Sequence, residues 1–184
     1  MIREIEEKDL EIVLKWRNSE RIRCNMYSNH LITMDEHMRW FLRLQQKRDA
    51  IYSIFEYKHC PVGVVYLTEL DPKNNKCSWG FYLGEEQLPP GIGSIMGLLG
   101  LELAFEKLEF HKVCGEVFAF NLSSINFHKK LGFSQEGYFK QHVLKNSNYE
   151  DLVCFGLLRK DWLANKIKLE QAIFTPRGDC RWLI

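Results

Sequence analysis

The sequence predicts an α+β fold, with helices laid on both faces of a mostly antiparallel central sheet. Three runs rich in β-branched and aromatic residues, Ile51–Tyr57, Val62–Leu70 and Cys77–Leu83, follow one another across short polar turns, as a meander of antiparallel strands does. Helical periodicity flanks the meander on both sides. One helix is announced by a capping box, Thr33-Met34-Asp35-Glu36, and another by Gly91-Ile92-Gly93.

Taken in order, Ile2–Ile5 is a short strand, and Asp9 stands at the start of an amphipathic helix carrying Leu10, Val13, Leu14 and Arg17. The capping box opens a helix over residues 34–47, with Met38, Phe41 and Leu42 on its apolar face. After the three-strand meander, Leu88-Pro89-Pro90-Gly91-Ile92-Gly93-Ser94 leads into a helix apolar enough to be covered on most sides. Its Gly97 and Gly100 each cost about 1 kcal/mol relative to Ala, so they are expected to permit close backbone approach. Val113–Phe120 is a strand, Ser124–Leu131 a helix, and Tyr138–Leu144 and Leu152–Leu158 a final antiparallel pair joined by a loop from Lys145 to Asp151. Residues 1–162 form one folding unit and Leu163–Ile184 a tail that holds a short helix, the string Arg177-Gly178-Asp179 and an apolar end, Trp182-Leu183-Ile184.

Composition narrows the function. Of 184 residues, 25 are Lys or Arg and 24 Asp or Glu, a net charge of +1. That lacks the basic excess on which nonspecific nucleic-acid binding depends. No apolar run is long enough to span a bilayer, and the charged opening Arg3-Glu4-Ile5-Glu6-Glu7 is unlike a signal peptide, so a cytoplasmic location without nucleic-acid or membrane partners is expected. The six cysteines contain no Cys-x-x-Cys pair and the six histidines no metal-ligand spacing, which predicts neither a disulfide framework nor a metal site.

The Gly91-x-Gly93 turn sits between a strand ending at Tyr82-Leu83 and a helix start, where main-chain amides and the helix dipole hold a pyrophosphate. The same pattern also serves as an ordinary turn before a core helix. The third glycine falls at Gly97, which does not fit a dinucleotide-binding Rossmann loop, and no Gly-Lys-Ser/Thr follows, which excludes a Walker loop. A nucleotide diphosphate such as that of coenzyme A remains.

The segment Asn121-Leu122-Ser123-Ser124-Ile125-Asn126-Phe127-His128-Lys129-Lys130-Leu131-Gly132-Phe133 resembles the second signature of the GNAT superfamily of acyl-CoA N-acyltransferases. Asn121, Ser124, Ile125, Leu131, Gly132 and Phe133 match it. The resemblance implies the GNAT fold, acetyl-CoA as cosubstrate, and direct attack of a neutral amine on the acetyl thioester. It implies cofactor contacts at Phe81, Tyr82, Leu83, Gly91, Ile92, Gly93, Ser94, Asn121 and Ser124, with the amide of Phe81 or Tyr82 polarising the thioester carbonyl. Two positions depart from the pattern. Leu88 replaces the usual Arg or Gln of the loop and is followed by two prolines without amide donors, with Gln87 as a substitute. His128 stands where the family commonly has the Tyr that protonates the departing thiolate. His128 is therefore an altered candidate acid or a helix histidine without a role. Glu116, near the opening between its strand and Cys77–Leu83, is the candidate proton acceptor, against the alternative of an exposed strand carboxylate.

The N-terminal string Trp16-Arg17-Asn18, Ile22-Arg23, Met26-Tyr27-Ser28 and His37–Phe41 is similar to the branch of this superfamily that acetylates the 4-amino group of a UDP-linked 4-amino-4,6-dideoxy-N-acetyl-altrosamine in pseudaminic acid biosynthesis, the pathway of a flagellin glycan. That likeness assigns Arg17, Asn18, Arg23, Tyr27, Trp40 and Tyr66 to the acceptor. The arginines would serve its phosphates, and Trp16, Tyr27, Trp40 or Tyr66 its rings, where core packing is the alternative for each aromatic. The alternatives are a protein N-terminal or lysine acetyltransferase, and, from another class, an inactive acyl-CoA or nucleotide-binding module. A homodimer is left open.

Overall fold

The computed structural model describes residues 1–47 and 49–174. The sheet has seven strands: β1 (Ile2–Glu4), β2 (Ile51–Tyr57), β3 (Cys60–Asp71), β4 (Lys76–Leu83), β5 (Lys112–Phe118), β6 (Ser134–Lys145) and β7 (Asn148–Leu158). Their order is β1-β2-β3-β4-β5-β7-β6, antiparallel throughout except for β4 against β5. The helices are α1 (Leu10–Asn18), α2 (Glu20–Arg23), α3 (Met34–Lys47), α4 (Ile92–Glu102, continued by a π-turn over Leu103–Lys107), α5 (Leu122–Lys130) and α6 (Arg159–Phe174).

The two faces of the sheet carry separate cores. Phe55, Val65, Leu67 and Trp79 pack with Leu101 and Phe105 of the α4 segment, Ile125 of α5 and Trp162 of α6. Ile54 and Val64, turned the other way by the two-residue period of a strand, pack with Val13 and Trp16 of α1, Ile22 of α2 and Phe41 of α3. Helices therefore cover both faces, as the α+β reading requires.

The glycines of α4 serve close approach. A Cβ on Gly97 would lie 2.8 Å from Leu131 and Phe127 side-chain atoms, and one on Gly100 2.8 Å from Val65 Cγ2. The Thr33 capping box forms, with Glu36 accepting from Thr33 N–H at 2.8 Å and Thr33 Oγ1 accepting from Glu36 N–H at 3.3 Å.

Three local expectations need correcting. Asp9 does not cap α1. Its buried carboxylate accepts two hydrogen bonds from Arg3, at 2.7 and 2.8 Å, and one from Glu6 N–H at 2.9 Å, which joins β1 to the turn before α1. The expected loop from Lys145 to Asp151 is a two-residue turn, because Asn146 (φ 49°) and Ser147 (φ 66°) both take the left-handed backbone that a tight hairpin demands. The first strand of that hairpin starts at Ser134 rather than Tyr138. Helix α6 runs across the expected division between Trp162 and Leu163, and is held by Trp162, Leu169 and Ile173 on the core and by Lys166 against Glu106 at 2.7 Å. Arg177-Gly178-Asp179 and the apolar end lie outside the described residues. Among the described residues no helix is long and apolar enough to cross a membrane.

Candidate active site

The parallel pairing of β4 with β5 lasts three residues, Lys76↔Lys112, Cys77↔Val113 and Ser78↔Cys114, after which the strands part. The opening is the mouth of a cavity of about 620 Å³, lined by Phe81, Leu83, Gly93, Met96, Asn121, Ser124 and Phe127 on one side and by Tyr27, Tyr66, Glu69, Gly80 and Glu116 on the other.

Register decides which β4 amides face it. Gly84 N–H donates to Val62 O at 2.8 Å, and the β3–β4 register is unbroken from Gly63↔Leu83 to Thr68↔Ser78. Alternate amides therefore turn toward β3 at Gly80 and Tyr82, and into the opening at Phe81 and Leu83. Of the two donors named from the sequence, Phe81 N–H is the one that can meet a carbonyl there. The side chains alternate as well. Phe81 packs on Phe127 at 4.7 Å between ring centres, whereas Tyr82 faces α1–α3 and borders a second cavity.

The glycine loop is shaped for an anion, with fewer donors than the sequence implied. Gly91 has φ 92°, a conformation that favours Gly, and heads α4. Ile92 N–H turns back to Pro89 O at 3.4 Å and Ser94 N–H to Gly91 O at 2.9 Å, leaving the amides of Gly91 and Gly93 without an acceptor among the described residues. Ser94 Oγ accepts from Lys130 Nζ at 2.7 Å. This ammonium, two residues after His128 on α5, places a positive charge beside the glycine loop. Leu88 packs on the core and Gln87 is exposed. Asn121 Oδ1 accepts from Ser124 N–H at 3.1 Å and so caps α5 at the cavity wall.

His128 forms the floor of the fork. It is 3% exposed, stacked on Phe155, with Nδ1 2.8 Å from Ser124 O and Nε2 3.1 Å from Trp79 Nε1. A carbonyl oxygen only accepts and an indole N–H only donates, so the partners fix the tautomer: Nδ1 carries the proton and Nε2 accepts. Burial pushes the pKa down to about 4. A Cβ on Gly115 would lie 2.8 Å from Nε2, so the glycine is what lets this ring sit against β5.

Glu116 lies on the other side of the sheet. It accepts a hydrogen bond from Tyr27 Oη, and burial together with that carboxylate raises the Tyr27 pKa. Glu69 also borders the cavity, held at φ 49° on a bulge of β3, with Ser78 Oγ donating to it at 2.6 Å. Neither carboxylate has an ion-pair partner among the described residues.

A second cavity, of about 600 Å³, lies between the sheet and α1–α3 and shares Met26, Tyr66 and Tyr82 with the first. Its walls are aromatic: Trp40 stands edge-on to Tyr52 at 4.8 Å, and Tyr52 stacks on Tyr66 at 4.9 Å. Its charge is cationic. Arg17, Arg39 and Arg43 line it with one carboxylate, Glu36, which is already occupied by Thr33. Arg17 Nη2 donates to Ser28 O at 3.0 Å, but among the described residues its buried Nη1 has no hydrogen-bond partner.

The acceptor residues named from the sequence therefore divide. Arg17, Trp40 and Tyr66 line the second cavity and Tyr27 the first. Asn18 bonds both ways with Ile32, at 2.8 and 2.9 Å, and Arg23 reaches Asn29 O at 2.6 Å and pairs with Glu20, so these two shape the loop after α2 and border neither cavity. Trp16 is core, its indole donating to Glu85 at 2.9 Å. The sequence reading missed Lys130, Trp79, Glu69 and Arg43, and carried Arg39 only within the string His37–Phe41. Only Arg39 and Arg43 left a signal, since they fall four apart on the polar side of a recognised helix.

A seven-stranded sheet split after β4, with open amides on one edge and a helix N-terminus beside it, defines an acyl-CoA-dependent N-acyltransferase fold. A family model described as "Acetyltransferase (GNAT) domain" matches residues 2–154, and the chain belongs to that family of acetyl-CoA-dependent N-acetyltransferases. It is 31% identical over 158 residues to YokL of Bacillus subtilis, an SPbeta prophage-derived uncharacterized N-acetyltransferase, covering 84% of this chain and 88% of the relative. It is 26% identical over 136 residues to acetyltransferase PseH of Campylobacter jejuni, covering 74% and 80%. Among solved structures, spermidine N-acetyltransferase from Vibrio cholerae, in complex with CoA and spermine, superposes with a TM-score of 0.83 at 18% identity over 89% of this chain and 97% of that one. At this identity the likeness shows the shared fold.

Proposed function

We propose that the acceptor is the 4-amino group of a UDP-linked amino-dideoxy sugar, and that the chain serves pseudaminic acid biosynthesis in the cytoplasm, where acetyl-CoA and nucleotide sugars are made. The observation that carries this reading is the arginine cavity joined to the carboxylate-bearing cleft. An acceptor spanning both needs an amine at one end and an anion attached to a planar ring at the other. Guanidiniums bind phosphates through paired N–H donors, the unpartnered Arg17 Nη1 offers one inside the cavity, and Trp40 and Tyr66 offer ring faces. A polyamine brings only cations, which Arg17, Arg39 and Arg43 repel. The sequence likeness of residues 16–41 to the pseudaminic-acid branch and the match to PseH point the same way.

The site supports a direct transfer. The GNAT cosubstrate places its pyrophosphate at the amides of Gly91 and Gly93 beside Lys130, and its thioester carbonyl against Phe81 N–H. Glu116 takes a proton from the acceptor ammonium through water, the freed nitrogen attacks the carbonyl carbon, the carbon–sulfur bond breaks to release the thiolate, and the nitrogen gives its second proton to solvent to leave the neutral amide. His128, neutral and committed at both nitrogens, holds Trp79 and the start of α5 in place and donates no proton. The thiolate takes its proton from solvent.

The test is thiol release from acetyl-CoA with UDP-4-amino-4,6-dideoxy-N-acetyl-β-L-altrosamine, spermidine and an N-terminal peptide offered separately. Release with the nucleotide sugar alone is expected. Release with spermidine or peptide and none with the sugar overturns the assignment.

A further inference from the structure

The loop between α2 and α3, residues 24–33, carries Tyr27 and separates the two cavities, yet several of its carbonyls are held by side chains. Arg17, Asn18 and Arg23, from the helices immediately before it, take Ser28 O, Ile32 O and Asn29 O. The remaining anchor comes from the far half of the sheet. Pairing of β5 with β7 stops at Phe118↔Leu152, so the rest of β6 and β7 projects beyond β5 as a two-stranded ribbon ending at Asn146-Ser147. At its tip Lys145 Nζ donates to Met26 O at 2.5 Å, and Asn146 Oδ1 accepts from Asn29 Nδ2 at 2.9 Å.

Lys145 is unusual for its strand. It is 7% exposed while the adjacent Leu144 is 61% exposed, and among the described residues its ammonium makes no ion pair. Its second contact is the face of Phe118, 5.3 Å from the ring centre, and the Tyr27 ring packs on the same Phe118 at 5.5 Å while its hydroxyl donates to Glu116. One buried cation thus joins the ribbon tip, the loop backbone and the aromatic that positions Tyr27. A buried ammonium is retained at a desolvation penalty, and here it holds a loop that no strand pairing holds.

We propose that Lys145 is a positioning residue for the acetyl acceptor, fastening the loop so that Tyr27 stays over Glu116 and closes the acceptor side of the cleft. The kinetic part of this inference rests on Glu116 as the proton acceptor; the mechanical part does not. The test compares the full chain with Lys145→Met, which keeps the stem and removes the charge, and Lys145→Arg, which keeps the charge. Amide hydrogen exchange is measured in the presence of acetyl-CoA. In Lys145→Met, exchange in residues 24–32 is expected to accelerate at least tenfold while β2–β4 amides keep their rates, and Lys145→Arg is expected to restore protection. Unchanged exchange in the loop, or equal acceleration across the sheet, overturns the proposal. With whichever amine of the panel supports thiol release, Lys145→Met is expected to raise the acceptor KM at least tenfold and leave the acetyl-CoA KM within twofold. Equal rises in both, or none, also overturn it. The exchange arm needs no acceptor, so a failed nucleotide-sugar assignment and a failed latch give different results.

Discussion

On the α4–α5 face of the sheet the chain offers its ligand main-chain groups: the Phe81 and Leu83 amides on β4 and the Gly91 and Gly93 amides at the head of α4. On the α1–α3 face it offers side chains from three separate segments: Arg17 from α1, Trp40, Arg39 and Arg43 from α3, and Tyr66 from β3. Amide recognition needs only a backbone path, so under the proposed function the first face tolerates Leu88 and His128, the two departures from the signature pattern. Side-chain recognition depends on identity, so under the proposed function the second face is the one that sets substrate choice. Glu116 stands where the two meet.

That division is most exposed to test at Glu116. Glu116→Gln is expected to lower kcat by about 10²- to 10⁴-fold, the range for loss of a general base, while the acetyl-CoA KM stays within twofold. A comparable rise in the acetyl-CoA KM would place Glu116 on the cofactor side and erase the boundary.

His128 gives the next largest effect, on stability. Its pKa is lowered to about 4 in the folded chain from an ordinary 6.5, so the unfolded chain takes up a proton before the folded chain does. Stability is therefore complete above about pH 6.5 and falls as the pH drops toward 4, by about 3 kcal/mol at most. His128→Phe keeps the stack on Phe155 and removes the titration. In denaturant melts it is expected to flatten that part of the pH dependence, and to leave the shape of the kcat–pH profile unchanged. A kcat profile that loses an acidic limb in the variant would return His128 to the mechanism.

Arg17→Met is expected to raise the acceptor KM by about 10- to 150-fold, the scale of one hydrogen bond to a charged group, with no change for acetyl-CoA. The smallest effect belongs to the exposed Lys130. Lys130→Ala is expected to raise the acetyl-CoA KM by about two- to fivefold, as exposed ion pairs allow, and to leave the acceptor KM alone. Steady-state kinetics with each substrate varied in turn checks both, and effects exchanged between the two substrates would dissolve the contrast.

The same contrast explains what the sequence made legible. Strands β2–β4 and the Thr33 capping box are local patterns, and both appear as expected from neighbouring residues; the Gly91 turn appears too, but with two of its four expected amides, Ile92 and Ser94, already bonded within the loop. The Asp9 assignment failed because Arg3, paired with it across a turn, outcompetes the helix amides for its carboxylate. The β6–β7 turn failed because Asn146-Ser147 gives a weaker left-handed signal than Asn-Gly does. Arg23 and Asn18 looked like ligand residues because strings such as Trp16-Arg17-Asn18 and Ile22-Arg23 do not reveal that Asn18 and Arg23 bind the chain's own loop. Lys130 was hidden for the converse reason. It sits inside a recognised signature, but its value depends on Ser94, 2.7 Å away across two helices.

The central claim is that the α1–α3 face binds a nucleotide-linked anion independently of the cofactor face. Calorimetric titration of UDP into the chain and into Arg17→Met, each with and without coenzyme A, tests it directly. Expected is UDP binding to the unaltered chain, weakened at least tenfold in Arg17→Met, with coenzyme A affinity equal in both. No UDP binding, or equal binding by the two proteins, would contradict it.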